Sequence, residues 1–330
     1  MRCSVVGGGA WGTALADLLA RAGHHTTIWA REPDVVVAIN EQHENTRFLR
    51  GAALDKRLEA SNVMDVAIAG AELIVYAAPS HVLREVASSG AGDVAPRAIL
   101  VVATKGIERD SLAIMTGVIR ESVPNRPVVA LSGPSFAMEV AQRQPTAVVA
   151  ASENGDAAAF VQNAFSADSF RVYTSDDIVG VELGGALKNV MAVATGVVEG
   201  LGLGFNSRAA LITRGLAEMV RLGTAMGARP STFAGLAGIG DLVLTCTGAL
   251  SRNRAVGIEI GKGKSLADVL ATKETVAEGV VTARGAAALA KRHGVEMPIV
   301  DCVQRVLFEG FAARDAIGEL MRRELRAEED

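Results

Sequence analysis

Three glycines near the start of the chain constrain its fold more than any other feature of the sequence. Gly7, Gly9 and Gly12 form a G-x-G-x-x-G turn between a strand pattern at Arg2 to Val6 and a helical pattern at Thr13 to Arg21. In this context the glycines allow a tight turn, a close backbone approach to a pyrophosphate and close packing of helix on strand. The N–H groups at the helix start favour phosphate binding. The sequence therefore predicts a dinucleotide site, and the alternative is a glycine-rich turn without a ligand.

The residue after the second predicted strand bears on which dinucleotide binds. In such units an acidic residue about 20 residues beyond the glycines holds the ribose 2′-hydroxyl. Here Arg31 follows the strand at Thr26 to Trp29, and Glu32 is next to it. An arginine can bind a 2′-phosphate through charge-assisted hydrogen bonds, whereas the glutamate keeps NAD usable. We expect NADP or NAD as the cofactor, and the alternative is that Arg31 is an ordinary solvated side chain.

The rest of the first half repeats the alternation of strand and helix. β-branched runs separated by helical patterns indicate βαβ units around a parallel sheet. The further candidate strands are Leu73 to Tyr76, Ile99 to Ala103, Val128 to Leu131, Ala147 to Ala150 and Phe170 to Tyr173. We therefore predict an α/β fold with an N-terminal Rossmann-type, doubly wound, mostly parallel sheet and a C-terminal all-helical domain.

The second half is helical in pattern. The apolar stretch from Gly184 to Phe205 is interrupted by Lys188, Asn189 and Glu199, which predicts a buried helix rather than a membrane span. Further helices are predicted at Ser207 to Met226, Arg252 to Ile260, Val276 to Arg292 and Pro298 to Glu309. Because 330 residues exceed the usual size of one core, we predict a dinucleotide-binding domain at residues 1–174 and a helical substrate-binding domain at residues 175–330.

Composition argues against several classes of partner. A net charge of −4 argues against a protein that neutralises nucleic-acid phosphates. Cys3, Cys246 and Cys302 are scattered, which gives neither a disulfide framework nor a zinc spacing, so we expect no metal site. The N-terminus runs directly into the glycine turn and leaves no room for a secretion signal. We expect a cytoplasmic protein without integral membrane association that acts on a small molecule.

Lys188 is the candidate for proton transfer. No carboxylate is placed to pair with it within its own helix, since its neighbours three and four residues away are Gly184, Gly185, Met191 and Ala192. Such a lysine either extends to water or lies in a cleft with a lowered pKa, where it could exchange a proton near neutral pH. Asp241, in a Gly-Ile-Gly-Asp segment, is a plausible carboxylate to orient it. Periodicity leaves both alternatives open.

Polar residues after the predicted strands are candidates for binding an anionic substrate. Ligands gather at the carboxyl ends of open parallel sheets. Lys105 follows one predicted strand, and Gly133 and Ser135 follow the next, where they offer backbone N–H groups and a hydroxyl. Each of these segments could also be an ordinary turn.

A second candidate anion site begins at Ser251. Ser251, Arg252 and Asn253 come just before a helical pattern. Free N–H groups at a helix start, with the Arg252 guanidinium beside them, make a phosphate site, whereas Ser251 alone is also a good helix cap.

Together these segments resemble the soluble bacterial NAD(P)-dependent glycerol-3-phosphate dehydrogenase family. They follow the order and approximate spacing of the family over nearly the whole chain. Only the variants Gly8 and Ala10 in the glycine turn depart from what is most common there. The matching segments are Gly7 to Ala16, Thr104 to Gly106, Ser132 to Ala137, Glu182 to Asn189, Gly238 to Leu242, Thr245 to Cys246, Ser251 to Arg254 and Glu278 to Gly279.

The resemblance implies a reaction and a set of site residues. Hydride would pass between the nicotinamide and the ketone carbon of dihydroxyacetone phosphate while Lys188 exchanges the proton. The product, sn-glycerol 3-phosphate, would serve phospholipid synthesis, and the enzyme would be a cytoplasmic homodimer. Besides the glycines, the implied cofactor contacts are Ala10, Trp11, Arg31, Lys105, Ala137, Arg252, Val276 and Glu278. The implied substrate contacts are Lys105, Gly133, Ser135, Lys188, Asp241, Ser251, Arg252 and Asn253.

Two other functions remain open at this point. A dehydrogenase of a different small hydroxyacid would share the glycine turn and a lysine followed by asparagine, but it would not need the Ser251 to Asn253 phosphate site. A non-catalytic dinucleotide sensor would need the turn but no lysine against an apolar helix face.

Overall fold

Eight strands form one sheet in the computed structural model, which describes residues 1–271, 277–325 and 327–328. The strand order is β3-β2-β1-β4-β5-β6-β7-β8, and every neighbouring pair is parallel except β6 and β7. The strands are β1 (Arg2–Val6), β2 (His25–Trp29), β3 (Glu59–Ser61), β4 (Leu73–Tyr76), β5 (Ile99–Val102), β6 (Val128–Ser132), β7 (Thr146–Ala151) and β8 (Phe170–Ser175). This confirms the predicted mostly parallel, doubly wound sheet.

The central strands are apolar because helices cover both faces of the sheet. Every residue of β4 and β6 is buried, as expected for parallel strands with continuous apolar runs. The edge strand β3 was not predicted. It has three residues, Glu59, Ala60 and Ser61, and too short a pattern to signal a strand.

The helices that pack on the sheet are short, apart from α1 and α7. The first helix was expected to begin at Thr13, but α1 begins three residues earlier, at Ala10 with Gly9 before it, because Gly12 lies inside its first turn and obscures the pattern. The helices of residues 1–175, called the sheet region below, are α1 (Ala10–Arg21), α2 (Pro33–Val37), α3 (Met64–Ile68), α4 (Leu83–Ser89), α5 (Met115–Ser122), α6 (Ala137–Ala141) and α7 (Gly155–Phe165).

The helical region comprises residues 176–271 and 277–321. Its helices are α8 (Ile178–Gly200), α9 (Phe205–Ala225), α10 (Pro230–Phe233), α11 (Asp241–Thr247), α12 (Arg252–Gly261), α13 (Leu266–Ala271), α14 (Glu278–Arg292), α15 (Pro298–Phe308) and α16 (Ala313–Met321). The predicted buried helix is present, but its predicted end at Phe205 was wrong. It stops at Gly200, because Gly202 takes a φ of +77° and turns the chain into α9.

Helix α8 is the centre of the helical region. Each residue from Gly180 to Val198 is buried, so the helix is covered on all sides. Glycines allow its partner α12 to approach closely. A Cβ on Gly196 would lie 2.1 Å from the Arg254 carbonyl oxygen, and one on Gly257 would lie 2.1 Å from the Val193 carbonyl oxygen. The two helix backbones are therefore in direct contact.

Helix α8 is also long enough and apolar enough to match the length and composition of a membrane-crossing helix. In the folded chain, however, 94% of its most apolar window is buried inside the protein. Its apolar side chains are thus covered by α9, α11, α12, α14 and α15, and they form one of the large apolar cores of the molecule.

Candidate active site

The carboxyl ends of β1, β4, β5 and β6 lie at one edge of the sheet, and the candidate residues meet there. Gly7 follows β1 with a φ of +131°, and a Cβ on it would lie 2.8 Å from the Ala77 carbonyl carbon. Thr104, after β5, donates a 2.7 Å hydrogen bond to the Ala78 carbonyl. Lys105 follows it and donates to the Gly133 carbonyl after β6 (3.0 Å). A continuous line of contacts therefore joins the glycine turn to Lys105.

The glycine turn has the shape that a pyrophosphate needs. A Cβ on Gly12 would lie 1.9 Å from the Gly7 carbonyl oxygen, so this position accepts only glycine. Gly9, in contrast, has open space where a Cβ would stand. Gly9 directly precedes α1, whose first N–H groups have no partner within the helix. The buried indole nitrogen of Trp11 also has no hydrogen-bond partner among the described residues. These features fit a dinucleotide.

Arg31 lies just beyond β2 with its side chain 81% exposed. Its Nη2 is 3.0 Å from Oε1 of Glu32. The guanidinium and the carboxylate therefore lie together just beyond β2, the guanidinium exposed and the carboxylate partly buried.

The Lys188 amine is buried, which excludes the alternative that it extends to water. Its side chain is only 9% exposed, and the ammonium donates to Oδ1 of Asp241 and to Oγ1 of Thr245 (3.0 Å). Thr245 in turn donates to the Asp241 carbonyl (2.7 Å), so its oxygen is free to accept from the lysine. Asp241 and Thr245 lie one turn apart on α11, which presents both to α8.

Lys105 reaches the same carboxylate from the sheet region. Its Nζ is 2.6 Å from Oδ2 of Asp241, whose side chain is 1% exposed. Two ammonium groups and one carboxylate leave this cluster with a net positive charge when all three are ionised. Such a cluster suits an anionic substrate.

Burial lowers the pKa of Lys188 to about 7. The nearby charge of Asp241 opposes this shift, and that of Lys105 adds to it. Burial alone would raise the pKa of Asp241, but the two ammonium groups beside it hold that pKa below its usual value. At neutral pH the carboxylate is therefore ionised and the lysine can be present in either protonation state, as proton exchange requires.

The start of α12 is connected to this cluster by α8, because Asn253 contacts Asn189, the residue that follows Lys188. Ser251 caps the helix by accepting from the Arg254 N–H (3.2 Å), so the capping alternative is realised. Asn253 is buried and bridges α8 and α14: it donates to Oδ1 of Asn189 (2.9 Å) and accepts from the Gly279 N–H (2.9 Å). Arg252 is exposed at the helix start. Capping does not use the remaining N–H groups of the first turn, which are available to an anion.

Glu278 connects the helical region to the end of β4, a contact that sequence reasoning did not reveal. Its carboxylate accepts from the N–H of Ser80 (3.1 Å) and from its hydroxyl (2.5 Å). The two residues are 198 positions apart, and no local pattern links them. Thr245 was also missed as a partner of Lys188, although its spacing of four from Asp241 on a helix was a usable signal.

The remaining predicted residues are placed as follows. Ser135 donates to the Gly133 carbonyl (3.0 Å), so its hydroxyl oxygen stays free to accept. Ala137 is the first residue of α6, after the same turn. Val276 lies outside the described residues. The structure thus brings Lys105, Gly133, Lys188 and Asp241 together and leaves Arg31 apart, at the end of β2.

Comparison with protein families gives two matches that together span most of the chain. Residues 2–158 match the family model described as NAD-dependent glycerol-3-phosphate dehydrogenase N-terminus, and residues 177–318 match the one described as its C-terminus.

Relatives over the whole length carry the same description. A glycerol-3-phosphate dehydrogenase [NAD(P)+] of Citrifermentans bemidjiense is 52% identical over 330 residues, covering 99% of this chain and 98% of the relative. One of Geobacter metallireducens is 54% identical over 332 residues, with the same coverage. Among solved structures, glycerol-3-phosphate dehydrogenase of Coxiella burnetii superimposes with a TM-score of 0.94 at 38% identity, covering 98% of this chain and 99% of that one.

Proposed function

The chain belongs to the NAD-dependent glycerol-3-phosphate dehydrogenase family, and we propose that Lys188 transfers the proton in the reaction of this enzyme. It is an NAD(P)-dependent oxidoreductase that interconverts dihydroxyacetone phosphate and sn-glycerol 3-phosphate, and so serves phospholipid synthesis. The observation that carries the proposed role is the buried ammonium of Lys188, held by Asp241 and Thr245.

The reaction needs one hydride and one proton. When bound, the nicotinamide would supply the hydride to the carbonyl carbon in reduction and would accept it from the same carbon in oxidation. In reduction the Lys188 ammonium donates its proton to the carbonyl oxygen and becomes a neutral amine. In oxidation the neutral amine removes the hydroxyl proton. A pKa near 7 lets one residue serve both directions.

Asp241 and Thr245 position this amine. Both accept from Nζ, so they fix two of its hydrogen-bonding directions and leave the third for the substrate oxygen. The charge of Asp241 also keeps the pKa of Lys188 from falling as far as burial alone would bring it.

We propose that the substrate phosphate binds at the start of α12. The N–H groups of the first turn, the Arg252 guanidinium and the polar side chains of Ser251 and Asn253 would hold it. Lys105 and the turn that contains Gly133 and Ser135 would complete the site from the sheet region, opposite Lys188.

We propose that the cofactor lies along the glycine turn. Gly7, Gly9 and Gly12 would admit the pyrophosphate, and Arg31 would bind the 2′-phosphate of NADP. The other proposed contacts are Ala10, Trp11, Lys105, Ala137, Arg252, Val276 and Glu278. The open side of Gly9 supports this location, as does the indole N–H of Trp11, which has no hydrogen-bond partner in the described part of the chain.

Three further proposals concern the whole enzyme. The division near Thr174 would separate a dinucleotide-binding domain, residues 1–174, from a substrate-binding domain, residues 175–330. The protein would work as a homodimer. It would be cytoplasmic and without integral membrane association. Size-exclusion chromatography with light scattering tests the dimer, and cell fractionation tests the location.

The role of Lys188 is tested by separating turnover from cofactor binding. Lys188→Ala should lower kcat for dihydroxyacetone phosphate by at least about 100-fold, the smallest effect expected on losing a general acid, and should leave the NADPH dissociation constant within about threefold. Lys262→Ala, at an exposed lysine paired with Glu259, is the matched control and should retain activity. A Lys188→Ala enzyme with near-normal kcat would remove this residue from the mechanism.

A further inference from the structure

A second arginine stands near the proposed 2′-phosphate position, in the loop before β3. We propose that Arg47 selects NADP over NAD by binding the 2′-phosphate together with Arg31. This inference rests on the proposed cofactor site, and it names a residue that neither the glycine motif nor the resemblance includes.

The loop that carries Arg47 is fixed to the glycine turn. The buried side chain of Asn45 donates to the Gly8 carbonyl (2.8 Å) and to Oγ1 of Thr13 (2.8 Å). Its Oδ1 accepts from the Phe48 N–H (2.9 Å). The residues on either side of Arg47 are therefore tied to the same turn that would receive the pyrophosphate, which gives Arg47 a defined place beside the cofactor.

The Arg47 guanidinium is held in place but keeps its donors free. It lies over the Phe48 ring, 5.2 Å from the ring centre. Its Nη1 is 3.8 Å from Oδ2 of Asp34, too far for a hydrogen bond, and it donates none to any residue within the described ranges. Stacking on an aromatic ring orients a guanidinium while its N–H edge remains available to an anion.

Both arginines flank the start of α2. Arg31 precedes this helix, and its guanidinium is paired with Glu32. Arg47 approaches the same helix from the other loop, beside Asp34 in its first turn. Both guanidinium groups are exposed and so is Asp34, whereas Glu32 is partly buried. Ion pairs at such a surface are weak, so an incoming phosphate can replace the carboxylate partners at little cost. When NAD binds instead, these carboxylates remain near the ribose and can accept from its 2′-hydroxyl.

The charge of the two ligands explains why Arg47 would discriminate between them. A 2′-phosphate carries nearly two negative charges at neutral pH and offers three acceptor oxygens, more than one guanidinium can satisfy. A 2′-hydroxyl carries no charge and gains little from a second arginine. Loss of Arg47 should therefore weaken the phosphorylated ligand selectively.

The test uses binding as well as activity. Isothermal titration of the full-length enzyme with adenosine 2′,5′-bisphosphate and with 5′-AMP isolates the contribution of the 2′-phosphate. Arg47→Gln should weaken the bisphosphate about 10- to 100-fold, the range for a lost charge-assisted hydrogen bond, and 5′-AMP less than about threefold. The ratio of kcat/KM for NADPH over NADH should fall by a similar factor.

Two comparison variants separate this inference from the proposed function. Arg50→Gln removes an exposed charge from the same loop and should change either ligand less than about twofold. Arg31→Gln should weaken the bisphosphate selectively. If Arg31→Gln does so and Arg47→Gln does not, the inference fails and the cofactor site stands. If Arg47→Gln and Arg50→Gln weaken both ligands equally, only general charge is involved and the inference again fails. If neither Arg31→Gln nor Arg47→Gln is selective, the proposed 2′-phosphate position is wrong as well.

Discussion

At the scale of single residues, the proposed proton transfer depends on the balance between burial and charge at Lys188. Burial alone would leave a neutral amine that cannot donate a proton at physiological pH. The Asp241 carboxylate, itself kept ionised by Lys105, restores part of the affinity for the proton. The protonation state of Lys188 therefore depends on Asp241 and, through it, on Lys105.

This balance predicts opposite pH profiles for the two directions. Reduction needs the ammonium, so kcat/KM for dihydroxyacetone phosphate should fall about tenfold per pH unit above about 7, where Lys188 loses its proton. Oxidation needs the amine, so kcat/KM for glycerol 3-phosphate should rise with pH and level off above the same value. Asp241→Asn removes the charge that raises the pKa of Lys188, and the falling limb for reduction should move to lower pH. Profiles of the same shape in both directions would contradict this role.

Arg252 predicts a different kinetic signature, which at saturating cofactor is confined to the substrate phosphate. Arg252→Ala should raise KM for dihydroxyacetone phosphate. The increase should correspond to the free energy of a lost charged hydrogen bond, about 1.5 to 3 kcal/mol. Unphosphorylated dihydroxyacetone serves as the control substrate. It is assayed at saturating cofactor because Arg252 is also a proposed cofactor contact, and under that condition the substitution should not change its kcat/KM. An unchanged KM for the phosphorylated ketone would place the phosphate elsewhere.

Sequence reasoning identified single residues better than their partners. Lys188 was a candidate because a lysine without a carboxylate on its own helix either extends to water or lies in a cleft with a lowered pKa, and Asp241 could be suggested from its segment. That Lys105 shares this carboxylate depends on residues 136 positions apart meeting across two regions. The same applies to Ser80 and Glu278. Such contacts are set by the packing of helices on a sheet edge, which local patterns do not contain.

At the scale of elements, predictability followed the strength of the apolar pattern: β4 has only four residues, all buried, and was predicted with its exact bounds. The long helices were found with errors of a few residues, since many turns contribute to their apolar spacing. Short elements such as β3 and α10 contain at most four residues and were missed, because their conformation depends on neighbours rather than on their own pattern. The close contact of α8 and α12 also depends on single glycines whose role becomes visible only when both helices are in place.

Glycine-to-alanine substitution should have opposite effects at a glycine inside this contact and at a helical glycine outside it. Gly196→Ala would place a methyl group 2.1 Å from the Arg254 carbonyl oxygen, so the helices must separate and the free energy of unfolding should fall by about 1 to 3 kcal/mol. Gly117→Ala, in α5, meets nothing closer than 3.7 Å and should stabilise by up to about 1 kcal/mol through helix propensity. Urea unfolding measures both. A Gly196→Ala variant with an unchanged free energy of unfolding would show that the helices separate easily.

At the scale of the whole molecule, carboxylates of the helical region bind the sheet region. Glu182 on α8 accepts from the N–H and hydroxyl of Thr116 and so completes the start of α5. Glu278 accepts from Ser80 in the same manner, and Asp241 pairs with Lys105. Within the helical region, Glu218 accepts from the N–H groups of Ile299 and Val300 at the start of α15. The assembly of sheet and helices therefore relies on buried acidic groups.

These buried acids predict that stability depends on pH in an unusual direction. Burial raises the pKa of Glu182 and of Glu218 to about 7 in the folded protein, whereas both titrate near their ordinary value when unfolded. Their stabilising contribution is thus complete below the unfolded pKa and is lost as the pH rises through about 7. The free energy of unfolding should therefore be higher at pH 5 than at pH 7, by on the order of 1 to 3 kcal/mol for each group.

Substitution separates this contribution from the other titrating groups. Glu182→Gln cannot lose a proton, so its difference in unfolding free energy between pH 5 and pH 7 should be smaller than that of the wild type, even though one hydrogen bond to Thr116 is lost at both pH values. Glu153→Gln, at a side chain that is 74% exposed, is the matched control and should preserve the wild-type difference. Because the acidic groups with lowered pKa change state below this window, they do not obscure the comparison. A wild type that gains stability from pH 5 to pH 7 would mean that these carboxylates are ionised and favourably bound within the folded protein.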